Sequence, residues 1–302
     1  MKRVLVLGGS SFIGANLCAE LRKGYVVYGT FHRNKVKVEG VPFLPLSLSS
    51  LEGVEGFVRR MSPKVIVNCI SERDEAICAK NPDYAKFINA FLPGVIGGMA
   101  SSLGFRFIQL STSKVFSGDE GLYTEEDPVA PRSVYGVTKR EGDDLLKIRE
   151  NVFVLRLGTV FGFGPRGGQV LPDALKSFLS KKGKAYISDE WRSFVSVKDV
   201  VRAIKILIEA PEETEGLYHF GGAEKDTYYS FMNAVCEVFS FPSNLVSPIE
   251  GSELKSFGWD SANRGKDLSL DPSLFAKVFH TPPKALRQML DDVRKNLVIG
   301  NF

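Results

Sequence analysis

Tyr135 and Lys139 are four residues apart, so on a helix their side chains leave the same face. An ammonium beside a phenol favours the phenolate and draws the tyrosine pKa towards neutrality. A phenol tuned in this way can give a proton to a carbonyl oxygen or take one from an alcohol. Upstream, Leu110-Ser111-Thr112-Ser113 closes an apolar run that begins at Phe105. In open α/β sheets ligands collect beyond the carboxyl ends of strands, so the Thr112 hydroxyl is a candidate to hold the oxygen that Tyr135 protonates. Plain surface helices also carry Tyr–Lys pairs, and Thr112 equally suits a turn cap. Asn68 ends a second apolar run, Val65 to Asn68, and reads either as a turn residue or as part of a cofactor site.

A second constellation lies near the N-terminus. Gly8-Gly9-Ser10-Ser11-Phe12-Ile13-Gly14 follows the apolar run Val4 to Leu7 and precedes a helical pattern through Leu17 and Leu21. Strand, glycine-rich turn and helix together bring a pyrophosphate onto free N–H groups at the positive end of a helix. Gly8, Ser10, Ser11, Phe12, Ile13 and Gly14 are therefore the expected cofactor contacts. NAD-specific folds place a carboxylate at the end of the second strand, on the ribose 2′-OH. Here that place holds Thr30-Phe31-His32-Arg33-Asn34-Lys35, with no acid and three basic side chains. His32 and Arg33 suit a 2′-phosphate, so NADP(H) is expected before NAD(H).

The elements that must position these groups alternate in type. Strands are expected at Val4–Leu7, Tyr25–Thr30, Val41–Leu44, Val65–Asn68, Phe105–Leu110 and Val152–Leu157, with helices at Ile13–Leu21, Leu51–Met61, Glu75–Lys80, Tyr84–Leu103 and Val134–Arg149. Apolar, β-branched runs of this length suit strands covered on both faces, and the alternation predicts an α/β fold with a doubly wound parallel Rossmann sheet. After Gly158 the pattern loosens. Gly162, Gly164, Pro165, Gly167 and Gly168 predict an irregular loop, and Phe241 to Arg264 turns to Pro, Ser and Gly. Helices are expected at Leu171–Leu179, Val197–Glu209, Tyr228–Phe239 and Pro283–Arg294, with a strand at Gly216–Phe220. The expected division is a dinucleotide-binding domain over residues 1–160, with returning segments near 195–222. Residues 161–302 then form mainly a smaller, loop-rich C-terminal substrate lobe.

Bulk composition excludes several classes. With 302 residues the core needs no disulfide or metal staples. A formal charge of +4 with scattered basic residues does not indicate a nucleic-acid partner. Four cysteines without a CxxC motif read as free thiols of a reducing, cytoplasmic compartment. Three dispersed histidines suggest no metal site. No apolar stretch has the length of a membrane span, and the chain runs directly into a strand where a signal peptide would lie.

Five motifs in order carry a resemblance over nearly the whole chain: GGSSFIG, PKVIVNC, LSTSKVFSG, YGVTK and RSFVSVKDV. The chain resembles the extended short-chain dehydrogenase/reductases. Within them it is most similar to the dTDP-4-dehydrorhamnose reductase group, through Ser111–Phe116, Tyr123–Asp127 and Gly216–Phe220. The Cys69–Arg73 segment is also similar to the regulatory β-subunit of methionine adenosyltransferase, which belongs to the same group. The resemblance implies catalytic positions for Thr112, Tyr135 and Lys139, with Lys139 also on the nicotinamide ribose. It implies an active-site role for Asn89 and a diphosphate contact for Arg192. Thr159 falls where rhamnose-forming members carry a tryptophan against the sugar. Further departures are Ser11 for a glycine, Ser47 for an aspartate, and Ser113-Lys114 for the usual Asp-Tyr. The expectation is an NADP(H)-dependent reductase of a keto group on a nucleotide-activated deoxysugar, assembled as a homodimer. The alternatives are a cofactor-binding regulatory subunit and a nucleotide-sugar epimerase.

Overall fold

Apolar runs too short for helices pair into a sheet because each can bury both of its faces. The computed structural model describes residues 1–165, 167–257 and 264–297. Its strands are β1 (Arg3–Leu7), β2 (Val26–Phe31), β3 (Phe43–Pro45), β4 (Val65–Asn68), β5 (Arg106–Thr112), β6 (Val152–Leu157), β7 (Thr159–Gly164), β8 (Gly167–Gln169), β9 (Lys184–Ile187), β10 (Trp191–Arg192), β11 (Phe194–Ser196), β12 (Gly216–Phe220), β13 (Asp226–Thr227) and β14 (Val246–Ile249). Its helices are α1 (Phe12–Leu21), α2 (Leu51–Met61), α3 (Glu75–Lys80), α4 (Pro82–Lys86), α5 (Leu92–Leu103), α6 (Val134–Leu146), α7 (Leu171–Leu179), α8 (Val197–Glu209), α9 (Tyr228–Phe239), α10 (Ser273–Val278) and α11 (Leu286–Lys295).

Seven parallel strands form the main sheet in the order β12-β6-β5-β4-β1-β2-β3. Consecutive residues of β1 serve opposite layers. Val4 and Val6 join the core of Leu17, Leu21, Val200 and Ile204 from α1 and α8. Leu5 and Leu7 join Val54, Val58 and Ile96 from α2 and α5. Burial on both faces is why the strand sequence lacks polar alternation. The chain winds outward from β1 through β2 and β3, then restarts at β4 on the other side. This reversal opens a crevice between the carboxyl ends of β1 and β4, where ligands bind in such sheets.

Three segments depart from the sequence expectation. The glycine-rich stretch after Gly158 is not an irregular loop: β7 pairs antiparallel with β8 and parallel with β11. Its glycines reflect crowding, since a Cβ on Gly168 would lie 2.1 Å from the Gly162 carbonyl oxygen. The expected helix Tyr84–Leu103 is interrupted by a π-helical turn at Phe87–Phe91, where the Leu92 N–H reaches back to the Phe87 carbonyl. Pro93 has no N–H for the Asn89 carbonyl, so the regular ladder cannot continue there. Within Phe241–Arg264, β14 pairs with β9, while residues 258–263 of that stretch lie outside the described residues.

Candidate active site

The turn after β1 is built around positions that cannot carry a side chain. Gly8 has φ +67°, and a Cβ on Gly14 would meet the Gly8 carbonyl oxygen at 2.3 Å. Thr30, buried at the end of β2, accepts the Gly8 N–H at 2.9 Å, and its carbonyl accepts the Ser10 N–H. Ser11 is the N-cap of α1, its hydroxyl accepting the Gly14 N–H at 3.1 Å. The side chain that replaces the usual glycine is thus folded onto its own helix. Among the described residues the Phe12 and Ile13 N–H groups have no protein partner, and both residues face the cleft. A small backbone cradle with unpaired N–H groups at a helix N-terminus fits a dinucleotide pyrophosphate. His32 and Arg33 are exposed just beyond β2, and the expected place of an aspartate is Ser47, which bonds Ser49.

A cleft of about 660 Å³ runs across the carboxyl ends of β1, β4, β5 and β6. Ser10 to Ile13, Asn68, Thr112, Tyr135, Lys139, Thr159 and Arg192 all line it. Tyr135 is half-buried on the first turn of α6. Burial pushes its phenol pKa up, against the opposing pull of the Thr112 and Ser71 hydroxyls and the Arg73 charge. Lys139 does not set this phenol as the spacing suggested. Its ammonium donates to the Leu110 carbonyl at 2.7 Å, and burial lowers its pKa to about 8, with Asp143 opposing. Tyr135 is therefore a protonated acid in this state, and Lys139 a desolvated cation one turn deeper.

Lys139 rests on a buried polar layer. Asp143, one further turn along α6, receives Arg156 Nε of β6 at 2.9 Å, with both side chains almost fully buried. Arg156 stacks over Phe116 and approaches His219 Nε2 at 3.4 Å. His219 Nδ1 donates to the Tyr123 carbonyl at 2.8 Å, and burial with the Arg156 charge holds its pKa down near 3, so it is neutral. A neutral imidazole donating from Nδ1 leaves Nε2 as an acceptor towards Arg156.

Asn89, for which the resemblance implies an active-site role, lies off the cleft lining. It is buried in the π turn, where its Oδ1 accepts the Ser71 hydroxyl and the Glu72 N–H, each at 3.0 Å. Its Nδ2 donates to the Glu72 carbonyl at 2.8 Å and to Thr138 Oγ1 at 3.1 Å. These four bonds saturate the amide and tie the π turn to the Ser71 hydroxyl, the Glu72 backbone and Thr138. Asn68 is likewise engaged, donating to Gln109 Oε1 and accepting the Ile70 N–H. Gly8, Gly14, His32 and Arg33 also lie off the cleft lining.

At the far end Arg192 lines the cleft but is already occupied. Its guanidinium donates to Glu190 Oε2 at 2.8 Å and to the Trp191, Lys266 and Gly265 carbonyls. Arg264 Nε also donates to both Glu190 oxygens. Both guanidiniums thus converge on the Glu190 carboxylate. Thr159 opens β7 with its N–H on the Ser193 carbonyl. The sequence reasoning missed Ser71, Arg73, Gln169 and Tyr228 as lining residues. For Ser71 and Arg73 the signal was present: polar residues directly follow the carboxyl end of β4.

The model of the RmlD substrate binding domain family matches residues 1–299. The chain is 28% identical over 280 residues to methionine adenosyltransferase 2 subunit beta of Rattus norvegicus, covering 90% of this chain and 81% of that protein. It is 25% identical over 250 residues to the spore coat polysaccharide biosynthesis protein SpsK of Bacillus subtilis, covering 82% and 83%. The crystal structure of dTDP-4-dehydrorhamnose reductase from Bacillus anthracis in complex with NADP superposes with a TM-score of 0.84 at 21% identity, covering 98% of this chain and all of that one. The chain belongs to the RmlD substrate-binding-domain family, on a Rossmann-like short-chain dehydrogenase/reductase fold.

Proposed function

We propose that the protein is an NADP(H)-dependent reductase of a keto group on a nucleotide-activated deoxysugar. The observation that carries this is the meeting of Thr112, Tyr135 and Lys139 in one cleft whose opposite wall is the amino end of α1. The fold of a reductase solved with NADP, and a relative named for polysaccharide biosynthesis, support the same chemistry. The nicotinamide supplies a hydride when bound. Tyr135, held protonated by its burial, gives its proton to the carbonyl oxygen. Thr112 hydrogen-bonds that oxygen and fixes its direction. Lys139 holds the nicotinamide ribose. Arg33 and His32 would receive the 2′-phosphate, and Asn68, lining the cleft at the end of β4, would contribute to the cofactor site. Arg192, lining the far end of the cleft, contacts the substrate diphosphate. The four unpaired cysteines suit a reducing cytoplasm.

Turnover of dTDP-, UDP- and GDP-linked 4-keto sugars with NADPH tests this. Tyr135→Phe is expected to lower reduction by about 10²–10⁴-fold, the usual worth of a positioned acid, with NADPH affinity intact. Near-native turnover by Tyr135→Phe refutes the assignment. The relationship to the methionine adenosyltransferase subunit favours a second function, a cofactor-binding regulatory subunit. Tight NADPH binding without turnover of any sugar, together with a co-purifying partner enzyme, supports that function instead.

A further inference from the structure

The link between β4 and α3 holds one arginine between two fixed points. On one side the Asn89 amide takes both the N–H and the carbonyl of Glu72. On the other, Asp74 caps α3, its Oδ1 accepting the Ala76 and Ile77 N–H groups at 2.9 and 3.0 Å. Arg73 lies between these anchors and lines the cleft beside Tyr135. None of the neighbouring acids pairs with it among the described residues. Glu72 Oε1 accepts the Asp74 N–H, Asp74 is the cap, and Glu75 pairs with Lys114.

The cleft wall carries Arg73, Lys114, Lys139, Arg192 and Arg264 and, among the described residues, no aspartate or glutamate. Lys139 is held by the Leu110 carbonyl above Asp143, and Arg192 and Arg264 share Glu190. Arg73 has no ion pair among the described residues. Its backbone is fixed by these anchors, and its guanidinium stands without an ion pair at the end of the cleft where the carbonyl would be protonated. The pyrophosphate cradle and the basic edge after β2 lie on other elements, so neither cofactor phosphate accounts for it. A neutral deoxysugar leaves it without a partner as well.

We propose that Arg73 receives a carboxylate carried on the sugar ring near the reducible keto group, so that the substrate is an acidic nucleotide-sugar. This rests on the nucleotide-sugar function proposed above. The planar guanidinium fork matches a carboxylate through two parallel hydrogen bonds. No aspartate or glutamate on the described cleft wall competes for that fork.

Calorimetry on the full chain saturated with NADPH, comparing UDP-glucuronate with UDP-glucose, tests the inference. The native protein is expected to prefer the acidic ligand by about fivefold, the low end for a charge-assisted contact because Arg73 is exposed. Arg73→Gln is expected to bring the ratio to about one, and Arg73→Lys to keep part of it. Arg73 is exposed and unpaired, so Arg73→Gln should melt like the native protein. Equal binding of the two ligands by the native protein, or a preference that survives Arg73→Gln, overturns this inference alone. Failure of both ligands to bind overturns this inference, and failure of the dTDP- and GDP-linked sugars as well overturns the nucleotide-sugar function with it.

Discussion

Replacing Lys139 by methionine keeps most of the buried stem and removes the charge, so it exposes what burying the ammonium costs. The side chain is 2% exposed, and its pKa falls from 10.5 to about 8. A lysine whose folded pKa is depressed binds fewer protons when folded than when unfolded throughout the interval between those values. Stability therefore rises with pH across it. The full gap corresponds to about 3 kcal/mol at 1.36 kcal/mol per decade, present as a penalty near neutral pH. Between about pH 7 and about pH 9 the native protein should gain roughly 1 kcal/mol relative to Lys139→Met. All other titrating groups are common to both proteins and cancel in the difference. Guanidinium denaturation of the two at each pH reads it directly. A difference independent of pH, or one moving the opposite way, would show that Lys139 is not desolvated, and the catalytic role built on its proximity to the nicotinamide ribose would lose its physical basis.

Two further outcomes concern the cofactor. Arg33→Ala should weaken NADPH binding by about 1 kcal/mol, the low end for a charged contact because the side chain is exposed, and leave NADH unchanged in fluorescence titrations. Equal affinity of the native protein for NADPH and NADH removes the 2′-phosphate site. Gly14→Ala places a methyl 2.3 Å from the Gly8 carbonyl oxygen and 2.9 Å from the Gly9 Cα, both backbone. The turn must move, at a cost of about 1–3 kcal/mol in chemical denaturation and with loss of most NADPH affinity. Native affinity in that variant would mean that the cradle is not the pyrophosphate site.

Local patterns made the sheet legible. Val4 to Leu7 and Val65 to Asn68 form strands where their apolar runs stand, because both faces of each are covered. The Leu51–Met61 helix stands at its expected residues, with Ser50 as N-cap. The glycines of residues 162–168 misled, since glycine in a loop and glycine at a tight strand contact look alike in sequence. The π turn at Phe87–Phe91 had only Pro93 as a local sign, and the space it fills is set by Gly142 of α6, where a Cβ would lie 2.4 Å from the Asn89 carbonyl oxygen.

For the site, the one-dimensional spacing determined which side chains share a helical face and which residues follow a strand end. Tyr135 with Lys139, and Gly8 with Gly14, belong to that class, because the helical repeat and the strand-turn-helix connection are local geometry. What each group bonds to was decided by the packing of distant segments. Asn89 holds Ser71 and Glu72, and Lys139 faces the Leu110 carbonyl above an Asp143–Arg156 pair. Arg192 is engaged by Glu190 and the 264–266 backbone. Burial and charge pairing arise only when those segments meet. A sequence can therefore name an acid, a cation or an amide, while the tertiary structure sets its protonation, its partner and whether it remains available to a ligand.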